Sequence, residues 1–494
     1  MVAATEFEIL NFARPLDVHT WSDYSEVNTF VELVFEDLKG LDGNRKTILK
    51  LLKVVLLDLY VAWCSDPNLK LMFSRDNNAY AAKSRYSELF IGKKIIEVVD
   101  ALVVCGWVNE KRGFNDRDTG SAFLTRIWPT TSLIAHFKTA KFHQFHVQNH
   151  EEREVIILRN EDKENVEYVD DDQDLDLAVM RTLLRDYNLL LDRTHIDIET
   201  LEEPVIPLGE GKAKRFLPIN QRSKFVNRIF NNSRWDHGGR FYGGWWQRCP
   251  KEWRKAIAFD GVSAMELDYS GLHIVILYAQ EGINYWKDIG EDPYQVDQVE
   301  AFDPEIDIRS AAKSLLLTAI NADSETKAFG AFRNESETGS AQKRMKDKEL
   351  ALLLDQLKKK HSAISHKIAS GAGIGLMYID SQITERLIKR FTYHYKCPML
   401  SVHDSYLVPF GYDRILHEEM CNAFCEVTGM SDPNIKHTED YYDIVQAGFP
   451  PGEEPEDFVP PSPSERHRKE RELFNEFKDK PSAEDWHPDW TMIY

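Results

Sequence analysis

The stretch Ala264-Met-Glu-Leu-Asp-Tyr-Ser-Gly-Leu-His-Ile-Val-Ile-Leu-Tyr-Ala279 governs the reading of the whole chain. Met265 to Leu267 has the composition of a core strand, Ser270-Gly271 that of a turn, and Leu272 to Ala279 that of a packed helix opening. Asp268 therefore stands at the seam between strand and helix. Alone, it reads as a turn or N-cap residue. What surrounds it in the chain gives it another meaning.

Three further pieces stand in order. Upstream, Asp236-His-Gly-Gly-Arg-Phe-Tyr-Gly-Gly-Trp-Trp-Gln247 is a glycine-rich loop interleaved with aromatics. Glycines let a backbone approach a ligand closely, Arg240 can hold a phosphate, and the rings can stack on bases or simply pack. Downstream, Asp307 to Asn321 predicts a helix with Arg309 and Lys313 one turn apart on one face, where their repulsion favours a polyanion lying across both. Last, Pro398-Met-Leu-Ser-Val-His-Asp-Ser-Tyr-Leu-Val-Pro409 predicts a hairpin with Asp404 at its tip. A carboxylate at a hairpin tip beside another at a strand end can hold two divalent cations about 3.5–4 Å apart, the arrangement of in-line nucleotidyl transfer. Mg²⁺ needs only one or two protein carboxylates when phosphates and waters complete its shell.

In this order the pieces resemble the core shared by family A DNA polymerases and phage-type single-subunit RNA polymerases. Asp268-Tyr-Ser is similar to motif A, Arg309 with Lys313 to the Arg-x-x-x-Lys of motif B, and His403-Asp404 to the His-Asp of motif C. Gln247-Arg-Cys-Pro250 with Arg254 resembles the segment before motif A, and the resemblance runs from about Asn232 to Pro409. It implies Asp268 and Asp404 as catalytic metal carboxylates, the Tyr269 carbonyl as a third ligand, and two Mg²⁺ or Mn²⁺ ions. It also implies Arg309 and Lys313 as the grip on an incoming triphosphate, with Lys313 as proton donor to the leaving pyrophosphate. Arg240, Tyr269, His273, Asn321 and His403 complete the expected substrate-binding set.

Two positions depart from the family pattern. His273 stands where family A carries a sugar-screening glutamate, and Asn321 where it carries an aromatic. Arg309-Ser310, His403-Asp-Ser-Tyr406 and Gly239-Arg-Phe-Tyr242 are closer to the RNA-polymerising branch. The resemblance thus implies a template-directed nucleotidyltransferase making RNA, as a primase or small RNA polymerase, on a DNA template from nucleoside triphosphates. A family A DNA polymerase is the alternative, and a non-catalytic DNA-binding replication initiator or regulator is the alternative of another class.

Before this region, Ile48 to Tyr60 predicts a helix buried on most sides and Tyr86 to Leu102 a turn and a second helix. Gly106 to Phe114 and Ala122 to Trp128 predict a strand pair. That order resembles a winged-helix domain, which implies DNA contact through Lys93 and Lys94 on the second helix and Lys111, Arg112 and Arg126 on the wing. The expected fold class is α+β and multidomain: a winged-helix-like domain (1–150), an acidic connector with a candidate thumb helix (151–205), a right-hand palm and fingers core (206–449), and a Pro-rich acidic tail (450–494).

The net charge of −20 over 494 residues is unevenly spread, with −12 in residues 151–203 and −6 in 450–494, whereas 79–141 carries +4. A basic face is thus compatible with an acidic chain. The tail is expected to dock replication or mobile-element proteins. No apolar run approaches the ~20 residues of a membrane span, and the first residues lack a signal-peptide pattern, which points to a cytoplasmic protein. Six cysteines without a CxxC pair are expected as reduced thiols.

Overall fold

The computed structural model describes residues 10–80, 83–116, 121–170, 176–209, 215–297, 302–437 and 462–477. Within them the chain is a mixed α/β protein with two apolar cores, one between Tyr24 and Val147 and one between Val155 and Phe424.

The first core is built from β1 (Ala13–Pro15), α1 (Ser25–Asp37), α2 (Arg45–Ser65), β2 (Lys70–Phe73), α3 (Lys94–Val104), β3 (Val108–Lys111), β4 (Thr125–Pro129) and α4 (Thr131–Thr139). Helix α2 has almost no polar face, so it is buried all round from Leu51 to Cys64. Its one acid, Asp58, meets Arg14 at 2.6 Å, so the buried charge is paired. The sheet runs β1-β2-β4-β3, with β1 parallel to β2 and the other pairs antiparallel. The expected turn and second helix follow in that order, the turn with Phe90 at a left-handed φ of 51° and the helix starting at Lys94 with Lys93 as its N-cap.

The second core starts with β5 (Ile156–Leu158), α5 (Leu177–Asp192), β6 (Ile196–Ile198), β7 (Asn227–Phe230) and β8 (Gly238–Tyr242). It continues through β9 (Ile257–Phe259), β10 (Val262–Tyr269), α6 (Leu272–Gln280), α7 (Ile308–Asn321), α8 (Glu325–Glu335), α9 (Asp347–Lys360) and α10 (Gly373–Lys389). The hairpin β11 (Leu400–Val402) and β12 (Ser405–Pro409), α11 (Asp413–Thr428), β13 (Ile435–His437) and α12 (Glu465–Phe477) follow. Its main sheet is antiparallel in the order β6-β9-β10-β12-β11, with β13 pairing the other side of β10.

Residues 151–205, expected as a connector, are integral to this second body. β5 pairs with β7 and β6 with β9. Helix α5 is locked in by Tyr187, which donates to the Met399 carbonyl at 2.6 Å, and by Asn188, which exchanges hydrogen bonds with the Val226 backbone. Hydrophobic positions on one face of α5 leave it no stable place except against a core.

Helix α12, far along the chain, returns to cover the β6 edge. Arg466 and His467 both bond Asp197, and Ser464 bonds the backbone of Glu199 and Leu201. Phe474 of the same helix packs edge-on against Phe145 of the first body. Trp486, Trp490 and Tyr494 and the acidic run 171–175 lie outside the described residues. The six cysteines are free, and among the described residues no helix is long and apolar enough to cross a membrane.

Candidate active site

Strand period fixes where Asp268 points. Along β10, Met265, Leu267 and Tyr269 face the core, so Ala264, Glu266 and Asp268 share the opposite face. Asp268 lies opposite Ser405 on one neighbouring strand and opposite Lys436 on the other. Gly271, at φ 65°, makes the left-handed turn that redirects the chain into α6.

Asp404 arrives from the adjacent hairpin. Val402 pairs with Ser405, leaving His403-Asp404 as a two-residue turn, and His403 holds the positive φ of 58° that such tight hairpins require at the first turn position. The Asp404 carbonyl accepts the Tyr269 N–H at 3.2 Å, tying the two acidic positions together through the backbone.

A cavity of about 590 Å³ opens over these strands, and Asp268, Tyr269, Asp404, His403, Arg240, His273, Arg309, Lys313 and Asn321 all line it. The nine residues singled out from the core motifs thus come together. One role changes. The Tyr269 side chain is buried and donates to the Met420 carbonyl at 2.6 Å, so it is a core residue and only its backbone can serve the cavity.

Burial pushes the Asp268 carboxyl up to about 7, Asp404 and Glu266 push the same way, and Lys313 only partly offsets them. Asp404 is raised too, by burial and then by Asp380. Two carboxylates that resist ionising side by side lack positive charge, and an all-oxygen donor set suits a hard divalent cation. Asp268, Asp404 and the Tyr269 carbonyl therefore fit Mg²⁺ or Mn²⁺.

The cavity wall carries a buried polar triad. Arg240 Nε donates to Asp380 Oδ2 at 2.7 Å, a second Arg240 nitrogen contacts the same oxygen, and Arg240 Nη2 lies 2.9 Å from His273 Nε2. Burial raises the Asp380 carboxyl, yet His273 and Arg240 together outweigh it and hold the group below its ordinary value. Asp380 Oδ1 has no hydrogen-bond partner. Sequence reasoning passed over Asp380, although the signal was present: it interrupts Leu376, Ile383 and Leu387 on the apolar face of α10, where a lone acid needs a cation.

On the opposite wall, Arg309 and Lys313 each sit 5.8 Å from the ring of Tyr294, and Arg309 Nε bonds Asp292 at 2.6 Å. Asn321 closes the helix by donating to the Leu317 carbonyl. Asp292, Tyr294 and Lys436 also line the cavity and had no sequence signal, because only the folded chain brings them there.

The expected DNA-binding residues divide. Lys93, Lys111 and Arg112 are exposed. Lys94 pairs with Glu97 at 2.5 Å, and Arg112 pairs with Glu110 and Asp100. Arg126, expected on the wing surface, is instead turned into the body. It is 6 % exposed, its guanidinium bonds the carbonyls of Leu10 and Leu124, and it stacks on Phe123, so it holds the first body together.

A second group with metal-ligand chemistry, His195, Asp197 and Glu470, gathers where α12 meets the β6 edge. There the Arg466 guanidinium already bonds both carboxylates and supplies the cation.

No family model matches the sequence, and no curated protein matches it. Among solved structures, the chain is similar to the POL domain of Pol1 from M. smegmatis, solved in complex with DNA primer-template and dNTP. Identity is 14%, the TM-score is 0.29, and the match covers 44% of this chain and 47% of that one. The chain spans about half the length of that structure, and a likeness this loose carries no inference about function.

Proposed function

We propose that this protein is a template-directed nucleotidyltransferase that uses two divalent cations and makes RNA. The observation that carries the reading is the convergence of Asp268, near the end of β10, and Asp404, at the tip of the adjacent hairpin, with Arg309 and Lys313, from one face of α7, on one cavity. Two cations facing two mutually repelling carboxylates match the two ends of a nucleoside triphosphate, with its phosphates on the cations and its α-phosphorus near the acids.

Asp268 and Asp404 would hold the metal ions, which when bound activate the attacking hydroxyl and neutralise the leaving oxygens. Arg309 and Lys313 bind the β- and γ-phosphates and fix the α-phosphate for in-line attack. A P–O bond forms between the 3′-hydroxyl oxygen and the α-phosphorus, the hydroxyl proton passing to water, as the bond from the α-phosphorus to its bridging oxygen breaks, and the Lys313 ammonium passes a proton to the departing pyrophosphate. His273, held beside Arg240 and Asp380, takes the sequence position at which family A polymerases carry a sugar-screening glutamate, and its replacement of that glutamate is what favours ribonucleotides in this reading.

In the first body, the strand order β2-β4-β3 with α3 packed against β3 supports the winged-helix reading, with the exposed Lys93, Lys111 and Arg112 as its phosphate contacts.

An extension assay with labelled NTPs or dNTPs, primed and unprimed templates, and Mg²⁺ or Mn²⁺ tests the reading. NTP incorporation that Asp404→Ala abolishes is expected. Absence of any Asp404-dependent product removes the proposal, and dNTP-only incorporation converts it to DNA synthesis.

A further inference from the structure

Charge in the cavity is nearly matched before any substrate is considered. Asp380 neutralises Arg240 from within the wall, and Asp292 does the same to Arg309 across the cavity mouth, at 2.6 Å. Lys313 remains to face Asp268, while Lys436, opposite Asp268 on the neighbouring strand, also feels the Asp292 carboxylate. The Arg309–Asp292 pair therefore ties up one of the two cations assigned above to a triphosphate.

The two partners are anchored very differently. Asp292 sits in a pinned turn: its Oδ1 accepts the Tyr294 N–H at 2.9 Å, and the next carbonyl, Pro293, accepts from His361 Nε2 at 2.8 Å. His361 is fully buried and its other nitrogen lies 3.0 Å from the Tyr278 hydroxyl, so the turn is fastened to α6. Arg309 hangs from one helical residue on a long side chain that is 47 % exposed. In any exchange the carboxylate stays and the guanidinium moves.

We propose that Asp292 is an internal competitor for polyphosphate: its fixed carboxylate holds Arg309 until the phosphates of a nucleoside triphosphate displace it. This rests on the nucleotidyltransferase reading and adds a regulatory residue to it. An ion pair this exposed is worth little, whereas a triphosphate brings three or four negative charges and can engage Arg309, Lys313 and Lys436 together. The competition sets affinity without blocking the site. Asp292 also stands as a fixed negative charge beside the phosphates, which disfavours binding of polyanions that do not offer Arg309 a better partner.

The test is calorimetric titration of the full chain with inorganic tripolyphosphate, without divalent cation. The proteins compared are wild type, Asp292→Asn, Arg309→Gln and the double variant. Asparagine keeps the Oδ1 that holds the turn, and Asp292→Ser, whose hydroxyl can also accept from Tyr294, is the second variant. Tripolyphosphate should bind about fivefold more tightly to Asp292→Asn than to wild type. In the Arg309→Gln background the same substitution should change affinity by less than about twofold.

Unchanged or weaker binding to both Asp292 variants overturns the proposal. Equal tightening in both Arg309 backgrounds also overturns it, because a general field effect would then suffice. Wild-type binding with no Asp292 effect leaves the nucleotidyltransferase reading intact. Failure of every variant to bind tripolyphosphate removes both.

Discussion

Asp380 is the residue on which the cavity wall depends. It is wholly buried, its partner Arg240 is 15 % exposed, and His273 is oriented by both. Asp380→Asn keeps the shape but leaves the arginine charge without its counter-ion, which in buried pairs costs about 3–5 kcal/mol. A urea melt should show the midpoint falling with little change in slope. A loss under about 1 kcal/mol would show that water or His273 compensates and that the triad is not structural. Asp268, Asp404, Arg309 and Lys313 were readable from sequence because each is placed by a short local rule: strand alternation, a two-residue turn, a helical repeat. Asp292 and Lys436 were not, because their places depend on which segments meet. The burial of Arg126 was equally hidden, since a strand period of two does not tell which face of an edge sheet will be covered.

At the scale of elements, the sequence specified those with their own start signals. α7 begins where Asp307 caps the Ser310 N–H, and the β11–β12 hairpin turns where an apolar run breaks at His403-Asp404. The three-residue β13 has no such signal and exists because β10 offers it an edge. Helix α12 was visible as a charged segment, but its docking was not, since that depends on Asp197. Its Glu470 carboxyl is raised by burial and by Asp197, and Arg466 only partly offsets them. The folded chain thus keeps a proton that the unfolded chain gives up earlier, so this group's contribution to stability falls as pH rises from the ordinary carboxylate range toward neutrality. Glu470→Gln cannot lose that proton. Its melting temperature relative to wild type should therefore climb between about pH 5 and pH 8, followed by circular dichroism; a constant difference would show that Glu470 ionises normally.

At the scale of the molecule, two apolar cores meet across a largely polar seam. Arg85 of the first body bonds Asp170 at 2.8 Å and lies 3.3 Å from Glu154, both also bonded by Arg181. Asp170 is exposed, so its two pairs add little cohesion and weaken with salt, whereas Glu154 and both arginines are largely covered. Scanning calorimetry should give a calorimetric enthalpy about twice the van't Hoff value, with the two transitions separating as salt is added. One cooperative transition at all salt concentrations would mean that the α12 contact with Phe145 fuses the bodies.

Asp197 and Arg466 are 269 residues apart in sequence, while Arg14 and Asp58, the buried pair of the first body, are only 44 apart. Because a polypeptide is made from its N-terminus, the first body can close its charges early in synthesis. The second must hold an uncovered buried acid and an open sheet edge through most of translation. Nascent chains halted before residue 464 should therefore be the form that chaperones and proteases engage, and completion of α12 marks release from that surveillance.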